Sequence, residues 1–174
     1  MIRRICLCGV AGTGKSTLAA KLYSKLKEED YPVELVGEYV KPWAYQKRFP
    51  QSYDQVYIFG KQLHAEDVYL RHVQTIITDS PLLLSIVYSK HYKVDFWQHF
   101  VPLMQHVDVK YPPLYFYLHR RDDYNPNGRY QTPMDLLEID EVLKDCMQKF
   151  LPQNNCVYDK LSCEEMIQMI KEKS

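Results

Sequence analysis

The chain has 174 residues, which suits one compact domain spanning 1–174 with a single sizeable core. Its 22 Lys and Arg balance 22 Asp and Glu, so the formal net charge is zero; this argues against a broad nucleic-acid-binding surface and leaves room only for a local basic groove. No apolar stretch reaches the length of a membrane span, and five cysteines without a C-x-x-C pair point to buried, reduced thiols rather than a disulfide or zinc framework, hence to the cytoplasm.

The N-terminal "MIRRICLCGV" opens like a signal peptide, but it runs directly into a glycine motif that needs a strand before it, so it reads as the first strand. Cys6 and Cys8 alternate there and share one face. A helix follows from Lys15 to about Glu29, with Leu18, Leu22 and Leu26 at four-residue spacing. "DYP" turns the chain into a second strand, "VELVGE". Ser52 and Gln55 form a capping box for a long helix bearing Val56, Phe59, Leu63, Leu70 and Val73. "TIITD" is a third strand ending in Asp79, after which Pro81 begins a helix. "DFWQHFVPLMQHV" is a further helix, bent at Pro102, and "LYFYLH" is the fourth strand. "RRDDYNPNGRY" is loop-like. Thr132 caps, and Pro133 begins, a helix with Leu136, Ile139, Leu143, Met147 and Phe150 on one face. "CVYD" is the fifth strand, and Ser162 with Glu165 caps the last helix.

Strands that alternate with helices predict an open parallel sheet covered on both faces. Ligands of such sheets bind beyond the carboxyl ends of the strands. Every chemically suggestive motif falls at such an end.

The strongest is "GVAGTGKST", which fits G-x-x-x-x-G-K-[ST] between a strand and a helix. Glycines let backbone N–H groups approach phosphate oxygens, and the helix N-terminus adds partial positive charge. Gly9, Ala11, Gly12, Thr13, Gly14, Lys15, Ser16 and Thr17 are the expected nucleotide contacts, with Lys15 on the outer phosphates and Ser16 on Mg²⁺. The motif predicts ATP or GTP with Mg²⁺ and leaves the phosphoryl acceptor open.

Three further features bear on the acceptor. Arg120, Arg121 and Arg129 sit in the loop of about 120–131, which reads as a lid able to neutralise a transferred phosphoryl group, or as a solvated charged loop. Asp79 ends the third strand, where it can hold Mg²⁺ directly or through water, touch the acceptor, or, like Ser80, cap the next helix. Glu38 ends the second strand, on the acceptor side, as a candidate general base. Trp43, with Tyr39, Tyr45, Tyr53 and Tyr57, offers either a flat wall for a ring or plain packing. Gln55 and Gln62 offer paired contacts to a base edge. His99 and His106, seven apart, suit a surface or packing role better than a metal site.

"GEYVKPW" resembles the E-P-V-x-x-W signature of deoxynucleoside kinases, whose glutamate is the general base for the sugar hydroxyl. Glu38, Val40 and Trp43 keep that spacing, and Tyr39 stands in place of the proline. "YLHRRDDYNPNGRY" resembles the lid of the same kinases, whereas "TDSPLL" lacks the arginine of their E-R-S segment. Over nearly the whole chain, the order of cradle, "GEYV", "YDQ" helix, "TD" strand and "YNPNGR" loop resembles the small AAA-like ATPases and kinases common in bacteriophages. Those include relatives of nicotinamide-riboside kinase domains and kinases of 5-hydroxymethyluracil in phage DNA. The resemblance implies an α/β P-loop kinase fold with a five-stranded parallel sheet in the order 2-3-1-4-5. It implies transfer of the γ-phosphoryl of ATP to a hydroxyl of a nucleoside- or nucleotide-like acceptor, with Lys15, Glu38, Asp79, Arg121 and Arg129 carrying the chemistry. Two alternatives stay open: a modified base in DNA as acceptor, and an NTPase or nucleotide-dependent switch with no small-molecule acceptor.

Overall fold

A computed structural model of the chain describes residues 1–51, 53–120 and 131–173. Strand β1 (Arg4–Cys8) is buried at all five positions because it has a neighbour on each side and a layer of helices on each face. Strands β2 (Val33–Val36), β3 (Thr75–Thr78), β4 (Pro113–Tyr117) and β5 (Cys156–Val157) complete the sheet. All pairings are parallel and the order is β2-β3-β1-β4-β5, the order expected. In register, Ile5 of β1 lies between Ile77 and Leu114.

Alternation along β1 separates two cores. Ile5 and Leu7, with Leu114 and Phe116, meet helix α1 (Lys15–Glu28) and the last helix, α7 (Cys163–Lys173). Cys6 and Cys8, with Tyr115 and Tyr117, meet helices α4 (Leu82–His91), α5 (Phe100–Lys110) and α6 (Pro133–Phe150). All five cysteines are free; Cys6, Cys8 and Cys146 are buried, as expected, whereas Cys156 and Cys163 are partly exposed.

Two of the expected helix caps are present. Thr132 and Asp135 form a reciprocal capping box ahead of α6, with Pro133 in its first turn. Ser162 and Glu165 form another ahead of α7. Four expectations need correction. Helix α3 (Asp54–Leu70) has Tyr53 as N-cap with no side-chain cap; Ser52 lies outside the described residues, and Gln55 is buried rather than capping. Pro81 is the extended N-cap of α4 rather than its first residue, and neither Asp79 nor Ser80 caps that helix. The helix expected from Asp95 is a short 3-10 turn, Trp97–His99, followed by α5; Pro102 sits in the first turn of α5, where its missing N–H costs nothing. Finally, a short helix, α2 (Lys41–Tyr45), stands where no element was expected, closed by Lys47 in the left-handed region at φ 54°.

No helix among the described residues is long and apolar enough to cross a membrane.

Candidate active site

The glycine loop takes its shape from two residues with positive φ, Gly12 at 92° and Gly14 at 91°. Gly14 is the N-cap of α1, so the loop delivers the helix's first N–H groups to the end of β1. Thr13 is buried and donates its hydroxyl to the Val10 carbonyl at 3.1 Å, which braces the turn. Lys15 folds back over the loop and donates from Nζ to the carbonyls of Gly9 (2.8 Å) and Val10 (2.9 Å).

Gly9 has a steric reason of its own. A Cβ there would stand 2.7 Å from Thr13 Oγ1 and 3.0 Å from the carbonyl of Leu118, the residue just past β4. Gly9→Ala must therefore push the loop off β4. Overpacking of this kind costs about 1–3 kcal/mol, so AMP-PNP affinity is expected to fall about tenfold or more, measured by titration calorimetry. Unchanged affinity would show that the loop relaxes freely.

Ser16 Oγ donates to Asp79 Oδ2 across the ends of α1 and β3. The other carboxylate oxygen, Asp79 Oδ1, is buried with no hydrogen-bond partner among the described residues. Asp79 is 6% exposed, so this oxygen is an unmet acceptor in a dry position. A hydroxyl and a carboxylate are the hard oxygen donors that Mg²⁺ takes, so the pair fits that ion.

The glycine loop opens into a cavity of about 640 Å³. Glu38, half-buried just beyond β2, lines the same cavity as Lys15 and Ser16. Burial pushes its carboxyl above the ordinary range; the Lys15 charge pulls it back, Asp79 raises it and Lys41 lowers it. The three motifs separated in sequence thus share one electrostatic neighbourhood. Arg120 is exposed beyond β4; Arg121 and Arg129 lie outside the described residues.

The acceptor side differs from expectation in its aromatic residues. Trp43 does not line the cavity. It is buried beneath Arg48, whose guanidinium lies 3.5 Å above the ring, and it stacks on Tyr57 at 6.4 Å. Tyr39 packs edge-on against both, and Tyr53 stacks on Phe96. Of that group only Tyr45 reaches the cavity. Gln62 is likewise structural, accepting from the Tyr39 N–H at 3.2 Å and donating to Thr78 Oγ1. Gln55 does line the cavity.

Two tyrosines that no motif indicated also line the cavity. Tyr88 of α4 and Tyr92, the residue that caps the C-terminus of α4, stack at 6.5 Å with planes 15° apart. Burial and the neighbouring Glu38 both push the Tyr88 phenol upward, so its hydroxyl stays protonated. The available signal was the four-residue spacing of Leu84, Tyr88 and Tyr92, which line the cavity from α4 and its C-cap. Among the described residues, no cluster of three or more His, Cys, Asp or Glu is placed to hold a metal.

A parallel sheet of this order with a glycine loop after its central strand defines a P-loop fold. Residues 4–163 match a family of AAA domains, and the chain belongs to that family. No curated protein matches it in sequence. Among solved structures, the NadR protein in complex with NAD and AMP-PNP superposes with a TM-score of 0.75 at 16% identity. The match covers 98% of this chain and 49% of NadR, so this chain spans about half the length of that relative. Thymidylate kinase from Ehrlichia chaffeensis matches with a TM-score of 0.68 at 18% identity, over 98% of this chain and 96% of that one. Deoxyadenosine kinase from M. mycoides with bound dATP matches with a TM-score of 0.60 at 19% identity, over 98% of both chains. These likenesses establish a fold shared with nucleoside and nucleotide kinases.

Proposed function

We propose that the protein transfers the γ-phosphoryl group of ATP to a hydroxyl of a nucleoside- or nucleotide-like acceptor. One observation carries this reading: Glu38 lines the same cavity as the glycine loop and feels the charges of Lys15 and Asp79. A cavity lined by aromatic residues, with a carboxylate beside the glycine loop, supports a second substrate over hydrolysis alone. Loop N–H groups and the start of α1 bind the phosphates, and Lys15 exchanges its two carbonyl partners for phosphate oxygens. Ser16 and Asp79 are the residues that would hold Mg²⁺, which when bound supplies charge neutralisation on the phosphates. Glu38 accepts the proton of the acceptor hydroxyl, the freed oxygen attacks the γ-phosphorus, and the bond to ADP breaks. Arg121 and Arg129 are proposed to add positive charge at the transferred group.

The test is incubation with γ-labelled ATP and a panel of nucleosides, nucleotides and 5-hydroxymethyluracil-containing DNA, followed by separation of labelled products. A labelled acceptor is expected. ATP hydrolysis without transfer to any acceptor would favour the NTPase reading instead.

A further inference from the structure

Glu38 and Asp79 leave the sheet from different strands, and one buried side chain reaches the backbone beside both. Strand β2 is an edge of the sheet, and its pairing with β3 ends at Val36 opposite Thr78. Glu38 lies beyond that last pair and before α2 begins at Lys41. Asp79 follows Thr78 at the end of β3.

Gln62 of α3 bridges the two exits. Its Oε1 accepts the Tyr39 N–H at 3.2 Å, and its Nε2 donates to Thr78 Oγ1 at 3.4 Å. Thr78 Oγ1 also accepts the Ser80 N–H at 3.2 Å. These bonds fall on the residue after Glu38 and on the residues either side of Asp79. Gln62 is 2% exposed and does not line the cavity, so it stands behind the site rather than in it. A buried amide is costly unless it is bonded, and methionine would fill a similar space with no polar group to satisfy. The amide carries an acceptor and a donor on one short planar group, which suits it to hold two chain segments at a set separation. A proline in place of Tyr39, as in the signature that "GEYVKPW" resembles, would have no N–H for Gln62 to hold.

We propose that Gln62 is a positioning residue for phosphoryl transfer: it sets the Glu38 carboxylate relative to Asp79 by tying the exit of β2 to the exit of β3. This rests on the kinase reading above. A general base must lie within hydrogen-bond reach of the proton it takes, and a misplacement of about 1 Å can cost roughly 10²-fold in rate. The Tyr39 ring has a separate, exposed hold on α3, where its hydroxyl donates to the Tyr57 hydroxyl at 2.8 Å. That bond anchors the ring and leaves the peptide beside Glu38 to Gln62.

The test begins with the unaltered protein. The Tyr39 amide is expected to exchange with deuterated solvent about 10²-fold or more slowly than in the unfolded chain. An unprotected amide would overturn the proposal, and this measurement needs no variant to fold. Gln62→Met removes both bonds and is expected to lower the kcat of transfer by about tenfold to 10²-fold, with AMP-PNP affinity within about threefold of wild type. In the Glu38→Gln background the same change is expected to cost less than about threefold, because Gln62 acts through a base that is no longer there. Equal losses in both backgrounds would mark a packing role only and overturn the proposal, as would an unchanged kcat in Gln62→Met. The carboxyl carbon of Glu38, followed by NMR against pH, gives a readout that needs no acceptor. Burial holds this carboxyl above its usual range, and Lys15, Asp79, Lys41 and Tyr88 are the titratable groups around it. Loosening the segment admits water, so Gln62→Met is expected to move the titration down toward the ordinary value. An unmoved titration would overturn the proposal. If the wild-type protein labels no acceptor, the kinase reading fails, while amide exchange and the Glu38 titration still decide whether Gln62 holds this segment.

Discussion

Glu38→Gln is expected to cut phosphoryl transfer by about 10²–10⁴-fold while AMP-PNP binds as before. The substitution keeps the size and shape of the side chain and exchanges one carboxylate oxygen for an amide nitrogen, so the cavity keeps its volume while the charge and the proton acceptor are lost. The wild-type pH profile gives an independent check. Burial raises the Glu38 carboxyl, and only its ionised form accepts a proton. Transfer should therefore hold at neutral pH and fall as pH drops through a value above the ordinary carboxylate range; this acid limb should vanish in the variant. Stability runs the other way. A carboxyl raised in the folded state contributes stability below its unfolded value and loses it as pH rises through its folded value. At neutral pH the ionised Glu38 is thus a liability to the fold, and Glu38→Gln should melt no lower than wild type. Transfer that survives in Glu38→Gln would assign the base elsewhere, with Asp79 next in line. Intact ATP turnover in the variant, with no acceptor labelled in either protein, would instead support the NTPase reading.

How much of this site was legible before the structure depended on the range of the interaction. The glycine loop is a local backbone device, and its residues declare it regardless of context. Glu38 and Asp79 were legible because parallel strands deliver their carboxyl ends to one edge. Trp43 was misplaced for a physical reason. Spacing put it near the site, but α2 is only five residues long, and no pattern of that length shows which side faces the cavity. The structure turns Tyr45 inward and buries Trp43 under Arg48. Tyr88 was hidden in an almost uniformly apolar helix, buried on nearly every side, where amphipathic contrast is lost, and Tyr92 follows as its exposed C-cap.

Arg4→Met is expected to destabilise the fold by about 3–5 kcal/mol, read as a shift in the urea midpoint at constant slope. Arg4 is fully buried at the start of β1. Its Nε donates to Glu66 Oε2 of α3 at 2.9 Å, and Nη1 pairs with Asp108 of α5. Tyr115 donates its hydroxyl to the other Asp108 oxygen at 2.8 Å. One guanidinium therefore pins two helices to the central strand, and its position was available from the alternation of Arg4, Cys6 and Cys8 on one face. Removing it leaves two carboxylates in the core. Burial pushes both Glu66 and Asp108 up, and the Arg4 charge is the largest influence pulling them back. Without Arg4 their folded values rise further above the unfolded ones. Groups raised in this way contribute stability at low pH and lose it as pH rises. The deficit of Arg4→Met should accordingly be greatest near neutrality and shrink toward roughly pH 4. Replacing all three charges, Arg4→Met with Glu66→Met and Asp108→Leu, should recover most of the loss, because no uncompensated charge remains. If the triple variant is as unstable as the single one, packing around Arg4 rather than its charge holds these helices in place. The cluster lies roughly 16 Å along the strand from Gly9, so the folded fraction of either variant should bind AMP-PNP normally. That outcome would separate the pin that holds the sheet and helices together from the loop that binds the nucleotide, at opposite ends of the same strand.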